Sequence, residues 1–561
     1  MSNQRISGRK VSWAMCGFCL SLMTGYFNQA NAAVTYSTVF SFDLSKSSGG
    51  VVESAGSLFG TVINTSLTSG GAIYKASVAG GAPQILYQLN GDKNRDGYAP
   101  VAGLLAGGDG YLYGSTLYAA RKTVFSLSEG GGTLFRVKQD GSGFQTLHTF
   151  NPEITVTTPT IGKSVSIIHA NSDGLYPSFP LIKDKDSDSD YLYGVTSKGG
   201  TNGTGVVFRI KRDGTGFEIL HSFATLKVEN VEPDGKNSDG AFPSGPLLLA
   251  SDGRLYGVTS NGGSNLYTLT TTIALTDAAG VTTYQQIITT QGTGTVYSLN
   301  TDGTDFQTIY NFSHLDYSVD LNSNTIDYLG NTDGAFPSEG LVEVSHSVVD
   351  GKTVIVGTTA AGGITTNPTL AGRGTVYKLN TDGTAANTRL IPLHYFDNDT
   401  GFAAKGTLVL RKENGVPSRL YGVNSAGSGT VTPVMSYGSV FSLDPADVAN
   451  PLDVNNPYDF QIEHVFTVAD GISPATGLSI SGDGKSLYGT TTLGGSCISA
   501  YGSYGSVYRL SFDGETATGY ANCTVYNTSS SGGGAMSQGW LWVLSAFGLV
   551  LTVRRRLFGF D

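Results

Sequence analysis

The sequence predicts an all-β chain folded as a seven-bladed β-propeller, with four antiparallel strands per blade. Two motifs, each present seven times, and one strand without a repeat of its own predict it. The first motif is an apolar pair ending in glycine: Leu58-Phe59-Gly60, Leu112-Tyr113-Gly114, Leu192-Tyr193-Gly194, Leu255-Tyr256-Gly257, Ile355-Val356-Gly357, Leu420-Tyr421-Gly422 and Leu487-Tyr488-Gly489. The second follows within each repeat and runs from a glycine to an aromatic: Gly71 to Tyr74, Gly132 to Phe135, Gly205 to Phe208, Gly294 to Tyr297, Gly374 to Tyr377, Gly438 to Phe441 and Gly505 to Tyr508. Such recurrence marks a repeat architecture, and 561 residues are too many for one ordinary core. With 77 glycines and only 14% charged residues, the composition suits an exported protein rich in tight turns.

Residues 1–32 read as a signal peptide. Arg5, Arg9 and Lys10 form a basic start, Val11 to Phe27 an apolar stretch, and Ala30-Asn31-Ala32 a small-residue cleavage site. A first transmembrane helix is the alternative, opposed by the shortness and polar punctuation of that stretch.

The propeller is expected over residues 33–527. The fourth repeat shows the unit. Asp239 to Pro243 reads as a turn, Leu247 to Ala250 as a first strand and Ser251 to Arg254 as a hairpin turn. Leu255 to Thr259 is a second strand, Thr295 to Leu299 a third, and Phe306 to Phe312 a fourth after the turn Thr301 to Thr304. Asp-Gly between apolar runs is a strong hairpin signal, and four such strands make one propeller blade.

The fourth strand carries a ring residue two places before an aromatic or leucine: Tyr87/Leu89, His148/Phe150, His221/Phe223, Tyr310/Phe312, His394/Phe396 and His464/Phe466. The seventh repeat lacks a good match, whereas Val39-Phe40-Ser41-Phe42 fits and has no repeat before it. The N-terminal strand should therefore complete the last blade and remove its exposed edge. The recurring histidines stand where other repeats have tyrosine, so they read as packed ring residues rather than ligands or bases. His169, His314 and His346 share no metal-like spacing.

Cys497 and Cys523 remain once the leader and tail are removed, and two cysteines in an oxidising compartment are expected to pair; two buried thiols are the alternative. Residues 528–534 form a Ser/Gly linker ending in Gly532, Gly533 and Gly534. Residues 535–561 hold an apolar stretch, Trp540 to Val553, followed by Arg554, Arg555 and Arg556. Those fourteen residues would span about 21 Å as a helix, and Ala535 to Gly539 bring the length near that of a bilayer core. A plain membrane anchor is one reading of this tail.

The order of glycine run, short apolar helix and arginine cluster resembles the GlyGly-CTERM sorting signal of Gram-negative bacteria. That resemblance implies cleavage at Gly532 to Gly534 by a rhombosortase-type intramembrane protease. It implies export-machinery and signal-peptidase partners before that, and release to the cell surface or medium after it. Removing leader and tail takes six of 34 basic residues and one of 44 acidic ones, leaving a net charge of −15. Such a surface opposes nucleic-acid binding.

The unit Asp-Gly-x-x-Pro, Leu-Tyr-Gly-x-Thr, Gly-Gly, Gly-Thr-Val-Phe/Tyr and Leu-His-x-Phe resembles the GloVer (Gloeo/Verruco) tandem repeat of anchored bacterial surface proteins. The resemblance covers most of residues 33–527. Repeat five departs at Ile355-Val356, and repeat six at Thr400-Gly401, where it also lacks the proline. It implies a propeller, kelch-like in its double glycine, and no particular activity.

Chemistry is sparse. Asp92, Asn94 and Asp96 precede Gly97 in the spacing of a calcium loop, but the closing glutamate is missing, since Gly103 holds its place. Asn-x-Asp-Gly recurs at Asn171, Asn237 and Asn331, so a repeated Asx-type turn explains all four without metal. The alternating Asp184, Asp186, Asp188 and Asp190 read as a solvated hairpin turn. There is no nucleophile elbow, His-Glu-x-x-His or phosphate loop, so no catalytic or cofactor-binding residue is assigned.

The reading is a non-catalytic surface module that binds protein or glycan; the alternative is a secreted glycan hydrolase or lyase. Insertions at 117–131, 151–172, 224–238, 264–291, 313–332 and 426–437 share one face by strand alternation; the opposite face has mainly short Asp-Gly turns, with 444–459 the chief exception. Any ligand is expected on that insertion face, with Tyr284, Tyr317 and Tyr328 as candidate contacts.

Overall fold

A computed structural model of the chain describes residues 34–517 apart from 43–44, 65–69, 92–95, 120–129, 159–165, 186–188, 227, 230–231, 234, 277–281, 321–324, 365–371, 398–399, 428–436, 446–457, 475 and 496–503. Each apolar-apolar-Gly motif forms the second strand of an antiparallel sheet, and each Gly-to-aromatic motif begins the third. The seven sheets close into a ring, a seven-bladed propeller. Blade 4 consists of an inner strand in two pieces (Ala241–Pro243 and Leu248–Leu249), then Arg254–Asn261, Thr295–Asn300 and Gln307–Asn311. Inner strands of neighbouring blades touch around the axis. Ala241–Pro243, read from sequence as turn, pairs with Asn261 and Thr259 and so starts the inner strand.

The two motifs exist because they face each other. Gly257 pairs directly with Tyr297, and a Cβ on Gly257 would lie 2.3 Å from the Tyr297 hydroxyl. The same pairing joins Gly60 to Tyr74, Gly114 to Phe135, Gly194 to Phe208, Gly357 to Tyr377, Gly422 to Phe441 and Gly489 to Tyr508. The ring covers bare backbone, so any side chain at the glycine would overpack the blade. The aliphatic residue two places before each glycine is fully buried in all seven blades. Each such side chain contributes about 1.5–3 kcal/mol of hydrophobic stabilisation.

Ring closure is as expected. Thr35–Ser41 pairs antiparallel with Ser506–Ser511 as the outer strand of the blade that contains Ser486–Leu493. Tyr36 on that strand stacks on His464 of blade 6 at 3.7 Å. It repeats a contact made between other blades: Tyr87 on Phe144, His148 on Phe217, His221 on Phe306 and His394 on Phe460, at 3.6–4.0 Å. Each stack joins one blade's outer strand to the next blade, at about 0.5–1.5 kcal/mol beyond area burial.

Several insertions are not loops. Ile154–Thr158 pairs with Ser166–Ala170 as a hairpin. Leu266–Thr276 pairs with Thr282–Gly292, and Leu315–Asp320 with Thr325–Leu329. A parallel pairing of Leu266–Thr276 with Leu315–Asp320 joins these last two hairpins into a separate four-stranded sheet. Both hairpins leave blade 4 on the insertion face, one between its second and third strands and one after its outer strand.

Candidate functional site

The recurring histidines and the Asn-x-Asp-Gly turns form one structural latch. Asp239 accepts the backbone N–H of Ala224 with both carboxylate oxygens and lies 2.9 Å from His221 Nε2. Asn237 caps the same turn, donating to the carbonyls of Ala224 and Gly240 and accepting from the N–H groups of Gly240 and Gly263. Asn171 and Asp173 do the same beside His148; Asn331 does so beside Tyr310, where Asp333 accepts from Tyr310 and the Ser313 N–H through Oδ2 alone. Asp96, the last of the three calcium candidates, accepts from Asn90, Gly91 and Tyr87 in the same manner. Asp92 and Asn94 lie outside the described residues. Among the described residues, no group of three His, Cys, Asp or Glu is placed to hold a metal ion.

His394 differs from its equivalents. Its Nε2 is buried without a partner, and burial pushes its pKa down to about 4 against the opposing pull of Asp397. It is a packed neutral ring.

Polar groups join neighbouring blades on both faces of the ring. On the turn face, neighbouring blades bind one another. Glu53 accepts from Gly482 N–H at 3.0 Å, Gln139 donates to Ser54 at 3.0 Å, and Arg136 donates to the Arg212 carbonyl at 3.0 Å. Arg209 donates to the Thr301 carbonyl at 3.1 Å, and Ser298 to the Gly383 carbonyl at 3.0 Å. Glu343 accepts from Ser251 N–H and hydroxyl. These bonds serve the ring.

The interruptions midway along the inner strands carry only two ionisable residues, Glu339 in blade 5 and Lys405 in blade 6. Each lies at a bulge of its inner strand, between Ser338 and Val342 or between Lys405 and Val409. Glu339 has φ +67°, and Gly406 at the matching bulge has φ +71°. Glycine suits that conformation; glutamate is strained in it. The Glu339 N–H donates to the Ser244 carbonyl at 2.7 Å. Burial raises the Glu339 carboxyl pKa, against the Lys405 charge and the Gly406 N–H, which lower it. A carboxyl so placed can donate or accept a proton.

On the insertion face, Tyr284 is exposed and pairs with Ala274, while Tyr317 pairs with Leu269 and with Tyr328. The Tyr284 row is thus five residues along the shared strand from the Tyr317–Tyr328 row, about 17 Å. Tyr317 and Tyr328 are brought together; Tyr284 stands apart. Cys497, Cys523, Gly532, Gly533 and Gly534 lie outside the described residues.

Sequence reasoning missed Glu339 and a set of residues where the inner strands begin. Ala99, Tyr176, Phe242, Phe336, Ala403 and Ser473 all have φ between +54° and +60°. In all but Ala403 the signal was visible as the residue before proline in Asp-Gly-x-x-Pro, but nothing in that pattern reveals a left-handed backbone.

No family model and no curated protein matches the chain. Among solved structures, it is similar to an oligogalacturonate lyase in complex with manganese (10% identity, 85% of this chain and 96% of that chain, TM-score 0.39). It is also similar to a Penicillium chrysogenum α-L-arabinanase complexed with arabinobiose (11% identity, 86% and 98%, TM-score 0.37). A third is a putative 6-phosphogluconolactonase from Bacteroides fragilis NCTC 9343 (14% identity, 80% and 88%, TM-score 0.39). At these values the likenesses say nothing of this chain's chemistry.

Proposed function

We propose that the chain is an exported, surface-sorted propeller that binds a protein or glycan through its insertion face, without catalysis. The contrast between the faces carries this reading. The insertion face bears a sheet of two hairpins that the ring does not need for closure, whereas the opposite face carries mainly short turns. Long elements on a rigid scaffold are where binding residues concentrate. The −15 charge of the chain without leader and tail disfavours nucleic acid as the ligand. Export and sorting rest on the leader, the glycine run and the arginine cluster, and on the GloVer-like repeat.

The test is a glycan and surface-protein array probed with the exported chain, alongside a variant in which 264–291 is cut to a short turn. Loss of binding with an unchanged melting temperature supports the reading; retained binding contradicts it. Mass spectrometry of the surface-exposed protein tests sorting, since a peptide containing Trp540 would show a retained anchor.

Glu339 favours a second reading, a glycan hydrolase or lyase using the axial carboxyl. Release of new chain ends from polysaccharide by the wild type, abolished in Glu339→Gln, would establish it.

A further inference from the structure

Three consecutive blades present an aromatic ring from the left-handed position where the inner strand begins: Tyr176, Phe242 and Phe336, with φ of +60°, +57° and +55°. A bulky residue in this conformation is a strained outlier. The fold does not require the ring, because the same position is Ala99, Ala403 or Ser473 in other blades with the same φ. Aromatic bulk kept in this conformation in three adjacent blades needs a local reason.

The backbone at these positions is fixed. The N–H groups of Tyr176, Phe242 and Phe336 donate to the carbonyls of Gly131, Thr204 and Thr293 of the preceding blade, each at 2.8 Å. The carbonyls of Tyr176 and Phe242 accept the hydroxyls of Ser197 and Ser260, each at 3.2 Å. All three rings remain partly exposed. At one end Tyr118 meets Tyr176 edge-on at 5.8 Å; at the other, Tyr267, at the base of the extra sheet, meets Phe336 edge-on at 5.1 Å. The arc therefore ends against the insertion that the proposed function assigns to binding.

We propose that Tyr176, Phe242 and Phe336 are stacking platforms for an uncharged polysaccharide lying across blades 3 to 5 of the insertion face. The inference rests on the binding reading and names its ligand class. Sugar rings present apolar C–H faces to an aromatic and hydroxyls to the backbone and serines between platforms. One ring per blade, at a regular interval, suits a polymer of cyclic units. An apolar peptide would need a continuous groove, and here polar backbone separates the rings. The acidic surface repels anionic polymers, which leaves neutral ones.

The exported chain is run in affinity electrophoresis through gels containing cellulose derivatives, xylan, mannan, β-1,3-glucan or starch, with polygalacturonate and alginate as anionic polymers. Tyr176→Ala, Phe242→Ala, Phe336→Ala and the triple variant are compared with the wild type. Alanine already fills this slot at Ala99 and Ala403, so melting temperatures should hold or rise. The wild type should be retarded by a neutral polymer, each single variant should bind roughly 2- to 12-fold more weakly, and the triple more than about tenfold. Unchanged retardation of the triple variant overturns the arc while leaving the binding function standing. Retardation by anionic polymers alone, or binding only to apolar peptides or surface proteins on the array, also overturns it. Cleavage of the polymer, with affinity lost in the triple variant, supports the arc and removes the non-catalytic reading.

Discussion

Four of the seven third-strand aromatics are tyrosines, and all four hydroxyls, on Tyr74, Tyr297, Tyr377 and Tyr508, are buried without a hydrogen-bond partner. The other three blades hold Phe135, Phe208 and Phe441 in the same place, against the same glycine. A buried hydroxyl without a partner costs about 1–3 kcal/mol. Removing the oxygen forfeits some dispersion contact against the facing glycine, on the order of a few tenths of a kcal/mol. Each Tyr→Phe substitution should then stabilise the ring by about 1 kcal/mol, and the four together by about 4 kcal/mol. For roughly 480 ordered residues the unfolding entropy is near 1 kcal/mol/K, so the fourfold variant should melt about 4 °C higher.

Calorimetry and guanidinium unfolding followed by far-UV circular dichroism measure the change. The mirror substitution Phe135→Tyr should lose about 1–3 kcal/mol by creating a new unpaired hydroxyl. If the Tyr→Phe variants were instead destabilised by more than about 1 kcal/mol each, ordered water must satisfy the hydroxyls. The motif's alternation between tyrosine and phenylalanine would then have a different cause.

Gly257→Ala should cost about 1–3 kcal/mol or more in thermal unfolding, because its Cβ would overlap the Tyr297 ring; an unchanged melting temperature would refute the facing-motif account. His394, with a folded pKa of about 4 below its ordinary 6.5, makes the unfolded chain bind more protons between those values. Stability should fall by up to about 3 kcal/mol as pH drops from 6.5 to 4, and His394→Phe should flatten that slope in denaturant titrations. Deleting 34–42 would bare the edge strand Ser506–Ser511 and should yield aggregated protein by size-exclusion chromatography; a stable monomer would count against closure by that strand.

Blade number and ring closure were legible because packing imposes them on every repeat. A glycine under an aromatic cannot drift, so seven copies of each partner survive in the sequence. The histidines were legible as packed rings by the tyrosines that replace them; their stacking on Phe217, Phe306 and Phe460 of the next blade was not, since it depends on how blades abut. The insertions 264–291 and 313–332 looked like loops. Their strands form one sheet through a parallel pairing of Leu266–Thr276 with Leu315–Asp320, a contact that no turn signal announces. The site was least legible. The Lys405 charge acts on Glu339 only because the ring sets blade 5 against blade 6, and the sign of φ at Phe242 is written in no side chain.

Positions made equivalent by a repeat allow each departure to be weighed against its own family of controls. At the inner bulge, Gly406 relieves the left-handed backbone that Glu339 endures. Glu339 also sinks a carboxyl among protein atoms, at a desolvation cost only partly offset by Lys405 and the Gly406 N–H. Glu339→Gly removes both penalties, at the expense of roughly 0.5–1 kcal/mol of backbone entropy and the pull of the Lys405 charge. The left-handed penalty alone is about 1–2 kcal/mol, so the variant should be at least as stable as the wild type. If Glu339 serves a ligand, its cost to the fold and its role come apart in the variant. Glu339→Gly should therefore impair ligand binding or turnover while unfolding at the same or a higher denaturant midpoint. A clear loss of stability would instead make Glu339 a brace between blades 5 and 6, and the axial carboxyl would drop out of the functional site.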